Sequence, residues 1–220
     1  MPRFPYSKMF YIHIPKTGGS SIENFFLEKE KTFPNGDSWF NDEDVLHQEK
    51  YLIQYVYQNQ KCSYQHHTYL EIIDKVPEID QYRIFTIVRN PYDRVVSDFH
   101  HFTKCKHDDP DLLEKFEKFV EDFLYHEDSI PDKYDCHALP QYKFIEGCSE
   151  ANHLTILKFE KLSEEFLEFY EEPLDVKINV SDRHSDYRYY YTVKIATMIE
   201  EYYEEDFKQF DYDNTLSSTL

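Results

Sequence analysis

The stretch FYIHIPKTGGSSIE, Phe10 to Glu23, constrains the fold more than any other part of the chain. A short apolar run breaks into proline, lysine, threonine and a glycine pair, then two serines and a pattern of helical period. It reads as a strand, a tight loop and a helix N-terminus. Such a junction suits an anion, because the free N–H groups of the first helical turn and the helix dipole both point at the loop. Only 4 glycines occur in 220 residues, and two of them stand together here. Gly18 and Gly19 permit positive φ and close backbone approach. Pro15 stiffens the exit from the strand, Ser20 and Ser21 add hydroxyl donors, and Lys16 brings a movable positive charge. Lys16 precedes the glycine pair, whereas the nucleoside-triphosphate loop puts its lysine after the last glycine. The stretch is therefore a phosphate cradle of a different kind. Ser20 with Glu23 also spells a plain capping box, and the two roles are compatible.

Farther along, YRIFTIVR (Tyr82 to Arg89) is nearly continuous apolar, as a buried parallel strand should be, and LTILKFE (Leu154 to Glu160) is similar. Between them, DLLEKFEKFVEDFLYHED puts Leu112, Phe116, Phe119 and Phe123 on one helical face. Tyr187 to Phe210 reads as one long amphipathic helix, and Lys31 to Asp44 as a polar loop. Strands alternating with helices predict an α/β fold in one domain, with a mainly parallel sheet flanked by helices. Ligands in such folds bind at the carboxyl ends of the strands.

A second motif, IVRNPYDRVVSDFHHF, follows the second strand. Arg89 closes the strand, Asn90 can cap the next helix, and Pro91 suits its first turn. Ser97 lies two turns along that helix, about 10 Å from Asn90, so a strand-end arginine and a helix serine can meet at one phosphate. By itself Ser97 reads as a small packing residue, and Arg94 with Asp98, four apart, as a surface pair.

Together these two segments resemble the signature segments of sulfotransferases that use 3′-phosphoadenosine-5′-phosphosulfate (PAPS). The closest likeness is to the carbohydrate branch, Golgi-type and bacterial, with its heparan sulfate 2-O- and 6-O-sulfotransferases. HHTYLEI, LPQYKFIEG, ILKFEKLSEEF and the C-terminal YRYYYTVKIATMIEEYYEEDFKQFDY agree in family order, so the likeness spans Phe10 to Tyr212. It implies a P-loop-like three-layer fold and sulfuryl transfer to a hydroxyl, with 3′-phosphoadenosine-5′-phosphate (PAP) as product. Lys16, Thr17, Gly18, Gly19, Ser20 and Ser21 would hold the 5′-phosphosulfate, and Arg89 and Ser97 the 3′-phosphate. Ser181, Arg183 and His184, in NVSDRHSDYR, would close over the nucleotide. Lys16 suits the charge on the leaving phosphate. The resemblance points to His67 as the base for the acceptor hydroxyl, with His66 its neighbouring competitor; the bland reading of His67 is a cap for the following helix. His13, in the strand before the loop, reads as structural.

Composition narrows the partners. The formal net charge of −19 makes a poor general binder of nucleic acid or anionic membranes, so an anionic ligand needs a local positive cluster. The N-terminal stretch shows no secretory signal and no run of about 18 apolar residues, so the chain as given reads as soluble and cytoplasmic, an expectation compatible with a trimmed anchor. Cys62, Cys105, Cys136 and Cys148 lack C-x-x-C spacing and read as reduced thiols, with disulfides reserved for an oxidising compartment. The pairs His66–His67 and His100–His101 are adjacent rather than four apart, so no metal is expected. The acceptor is expected to be a sugar or another alcohol. Two other readings stand beside the sulfotransferase: a P-loop kinase of a small molecule, and a non-catalytic nucleotide-binding relic of the fold.

Overall fold

The structure is a computed structural model that describes residues 3–4, 7–30, 62, 64–73, 76, 79–126, 132–148, 154–174 and 182–220. Ser181 and the loop from Lys31 to Asp44 lie outside the described residues. Four strands form one sheet in the order β1 (Arg3–Phe4), β2 (Met9–Ile12), β3 (Arg83–Val88) and β4 (Leu154–Lys158). β1 runs antiparallel to β2, and the other three are parallel, with Met9 opposite Arg83 and Ile84 opposite Leu154. The Thr86 hydroxyl donates to the Ile12 carbonyl at 2.8 Å and so satisfies a polar group inside the sheet.

The apolar runs of β2 and β3 are buried on both faces, which makes three layers. On one face Met9, Tyr11, Phe85, Ile87 and Leu157 pack on Ile22 and Phe26 of α1 (Gly19–Glu30) and on Phe166 of α6 (Leu162–Tyr170). On the other, Phe10, Ile12, Ile84 and Val88 pack on Tyr69 and Ile72 of α2 (Tyr69–Ile72) and on Phe144 and Ile145 of α5 (Gln141–Ile145). A further core of aromatics joins α3 (Pro91–Thr103), α4 (Leu112–Tyr125), α7 (Val193–Tyr202) and α8 (Glu204–Gln209). The chain described ends in α9 (Leu216–Thr219). This is the expected α/β architecture. Leu112, Phe116, Phe119 and Phe123 are buried on one face of α4.

The C-terminal helix departs from expectation. Tyr187 to Phe210 is a 3₁₀ turn at Tyr187–Tyr190 followed by α7 and α8, not one helix. Tyr191 is extended at φ −96°, ψ 134°, and the Thr192 side chain caps α7 by accepting from Ile195 N–H at 3.4 Å. The break lets Asp206 reach α5, where its buried carboxylate accepts from Gln141 N–H at 2.8 Å and Tyr142 N–H at 2.9 Å. The Gln141 side chain then brackets Arg89, accepting from its N–H at 2.9 Å and donating to its carbonyl at 2.9 Å. The end of β3 is thereby fixed from a helix that the chain reaches about fifty residues later.

Cys62 and Cys136 form a disulfide with Cα atoms 5.5 Å apart, which corrects the expectation of four reduced thiols. Nothing in their sequence spacing announces the pair, because packing of distant segments brings them together. Cys105 and Cys148 are thiols. Among the described residues no helix is long and apolar enough to cross a membrane.

Candidate active site

β2, β3 and β4 end side by side, and the segments that leave them build one site. The first is the loop into α1. Lys16 takes φ 64° and Gly18 φ 94°, two left-handed residues that turn the chain sharply between strand and helix. The Thr17 hydroxyl ties back to the Ile14 carbonyl at 2.8 Å. The Gly18 carbonyl accepts from Ser21 N–H at 3.0 Å, which starts the helix and leaves its first N–H groups aimed at the loop. Gly19 has a second constraint: a Cβ there would lie 2.1 Å from Nε2 of His13. Close approach of that buried imidazole, rather than φ, dictates glycine. His13 Nδ1 bonds the Glu23 carboxylate at 2.6 Å, and Gln65 donates to the same carboxylate at 3.1 Å. Burial alone would raise the Glu23 carboxyl, but His13 and Gln65 hold it below its ordinary value. Glu23, read from sequence as part of a cap, thus anchors His13, whose reading as structural agrees with this place.

The second segment carries Arg89. Its guanidinium is buried over the Phe159 ring at 4.0 Å. Nη1 donates to the Lys16 carbonyl at 2.8 Å, while Nε and Nη2 donate to Asp93 at 2.9 and 2.7 Å. Asp93 also accepts from Arg183 at 2.5 Å. Burial would raise the Asp93 carboxyl, yet the two arginines pull it below its ordinary value. Arg89, Asp93 and Arg183 are therefore one preformed cluster beside the loop. His184 stacks on Tyr189 with ring centroids 4.5 Å apart, and its N–H donates to the Tyr190 hydroxyl at 2.9 Å. Ser97 is buried on α3, two turns beyond the cap residue Asn90, and no hydrogen bond joins it to Arg89 among the described residues.

Behind the loop lies a polar cluster that the sequence did not disclose. Arg94 and Asp98 are not a surface pair: they are 1% and 0% exposed. Arg94 donates to the carbonyls of Pro15 at 3.2 Å, His137 at 2.5 Å and Leu139 at 3.0 Å, so it pins the loop to the 132–139 turns. Asp98 meets His137 Nδ1 at 2.6 Å. Burial raises the Asp98 carboxyl to about 7, with Arg94 and Lys16 pulling the other way. Burial lowers the Lys16 ammonium, and Arg89 adds to that, while Asp98 opposes it. His137 stacks on His101 at 5.5 Å and meets the edge of His66 at 5.2 Å. His137 had no signal of its own among 11 histidines, and Asp98 only its helical spacing from Arg94.

His66 and His67 enter from the other side, just ahead of α2. Both are buried. The Glu71 carboxylate accepts from the Thr68 N–H at 2.7 Å, so the cap of α2 is built on Thr68. His66 Nδ1 lies 3.3 Å from the His13 carbonyl, an atom that can only accept. Nδ1 therefore carries the proton, and the lone pair is on Nε2. Burial, with His13 and His137 adding to it, holds the His66 imidazole well below the ordinary histidine range, hence neutral.

Fold and site define an α/β protein with a strand–loop–helix turn at the carboxyl edge of its parallel sheet, flanked by cations and buried imidazoles. The chain belongs to the sulfotransferase family: that family's model matches residues 3–213. Membership carries sulfuryl transfer as the general activity and makes the chain a transferase. Neither the curated proteins nor the solved structures contain a match.

Proposed function

We propose that this chain transfers a sulfuryl group from PAPS to an acceptor hydroxyl, most naturally one on a carbohydrate. The observation that carries the reading is the 2.8 Å bond from Arg89 Nη1 to the Lys16 carbonyl. It joins the two motifs at the ends of adjacent parallel strands, where one bisphosphorylated nucleotide can touch both. Bound there, PAPS would supply an activated sulfuryl group. Residues 16–21 would hold its 5′ end by N–H groups, hydroxyls and the Lys16 ammonium. Arg89 retains N–H donors beyond those given to Asp93 and Lys16, and with Ser97 and Arg183 it would take the 3′-phosphate. Ser181 and His184 belong to the same closing segment in this reading. The strong negative balance of the chain makes this local set of cations the place for an anionic ligand.

Lys16 would meet negative charge as it grows on the leaving phosphate, the place where a fixed cation accelerates most. The acceptor proton goes to a histidine of the His66–His67 pair. The sequence likeness favours His67. The geometry favours His66, because its tautomer presents a lone pair on Nε2 and its burial keeps it neutral. The test is sulfate transfer from labelled PAPS across a panel of sugars and simple alcohols, with Lys16→Ala beside the native chain. Labelled product is expected, with the variant at least about 10²-fold slower at saturating PAPS. No transfer to any hydroxyl by a chain that binds PAPS would overturn the reading.

A further inference from the structure

The disulfide sits beside the groups that touch His66. Cys62 is four residues ahead of His66, and Cys136 stands between Asp135 and His137. Asp135 Oδ2 lies 3.8 Å from His66 Nε2, and the His137 ring meets His66 at 5.2 Å. Cys62 and Cys136 are both buried, and they join segments 74 residues apart. Cys136 is itself held at φ 62°, beside Asp135 at φ 49°, so this turn is backbone-strained where it is crosslinked. On the far side His137 is fixed by Asp98. The nucleotide cradle has supports that do not pass through the disulfide: Gln141 on Arg89, the Arg89 bond to the Lys16 carbonyl, and His13 under Gly19, while Arg94 ties Pro15 to the crosslinked turn by separate bonds to His137 and Leu139.

We propose that the Cys62–Cys136 disulfide is a positioning element for the base, holding the His66 segment against the Asp135–His137 turn without forming part of the nucleotide site. The proposal rests on the sulfuryl-transfer reading. A disulfide with this role belongs in an oxidising compartment. An external dithiol cleaves it by exchange: the dithiol is oxidised to its own disulfide, its two electrons and two protons leave both cysteine sulfurs as thiols, and the two segments are released from each other. The cradle keeps the Gln141 bonds to Arg89, the Arg89 bond to the Lys16 carbonyl and the His13–Glu23 bond, none of which involves the crosslinked turn. With the brace open, water reaches His66, and its imidazole moves up toward the ordinary value of about 6.5. The groups that face His66 are His13, Asp135 and His137, and all three stay in the chain when the bond opens.

The experiment compares oxidised protein, protein reduced with dithiothreitol, and a Cys62→Ala/Cys136→Ala chain. Each is measured for the rise in melting temperature with PAP, for kcat and KM in sulfate transfer, and for the His66 ring pKa by NMR. The expected result is a PAP shift retained in all three, kcat at least about ten-fold lower in the reduced and double-variant chains, and recovery on reoxidation of the native chain only. The His66 pKa should rise in the same two samples. An unchanged kcat and unchanged ring pKa after reduction would overturn the proposal. So would loss of the PAP shift in step with turnover, because the crosslink would then hold the whole fold. The ring pKa is read without any transfer. If the oxidised chain binds PAP but moves no sulfate, the functional reading fails while the brace is still judged by the imidazole.

Discussion

At the scale of single residues, the proposed function separates groups that would hold the nucleotide from groups that would react. His66→Ala should lower the transfer rate by about 10²–10⁴-fold and leave PAP binding intact, as loss of a positioned base does. His67→Ala beside it decides between the neighbours: a rate loss confined to His67→Ala would return the role to the residue named by sequence likeness. In the proposed mechanism the neutral imidazole is the active form, and His66 is held below the usual range, so the native rate should stay level as pH falls to about 6.5 and drop only below that. Asp98 gives a second pH signature, in stability. Its carboxyl sits near 7 when folded and near 3.9 when unfolded. Between those values the folded chain keeps a proton that the unfolded chain has released, so this contribution to stability is lost as pH rises through the window. Denaturant titrations of native and Asp98→Asn chains should show the native-minus-variant difference declining from about pH 4 to about pH 7. A difference flat across that range would show that Asp98 titrates normally.

At the scale of elements, the strand–loop–helix unit depends on one contact that glycine permits. Gly19→Ala drives a Cβ into the His13 ring, which Glu23 holds in place, so the ring or the loop must move. The cost should be about 1–3 kcal/mol of stability by chemical denaturation, the usual range for forced overpacking. An unchanged stability would mean that His13 swings away freely. The disulfide should contribute about 4 kcal/mol by the chain-entropy argument for a loop of its size. Much of this level was legible in the residues. β2, β3 and β4 announced themselves as apolar runs, and the glycine pair marked the turn from strand into helix. The break at Tyr191 was not legible, since Tyr187 to Phe210 keeps a helical period throughout and only tertiary docking of Tyr190 and Asp206 decides where it bends. The Asp98–His137 contact and the Cys62–Cys136 bond join segments 39 and 74 residues apart, and no local pattern encodes such a meeting.

At the scale of the whole molecule, a chain with formal net charge −19 concentrates Lys16, Arg89, Arg94 and Arg183 around the carboxyl ends of three parallel strands. In the proposed function these cations and the two motifs would read a nucleotide with phosphates at both ends. The most direct measurement is titration calorimetry of the native chain with PAP and with ADP, repeated with Arg89→Ala. The account predicts that PAP binds at least about ten-fold more tightly than ADP, and that Arg89→Ala removes most of that margin, as loss of a charge-assisted contact of roughly 1.5–3 kcal/mol would. Equal affinity for PAP and ADP in the native chain would contradict it.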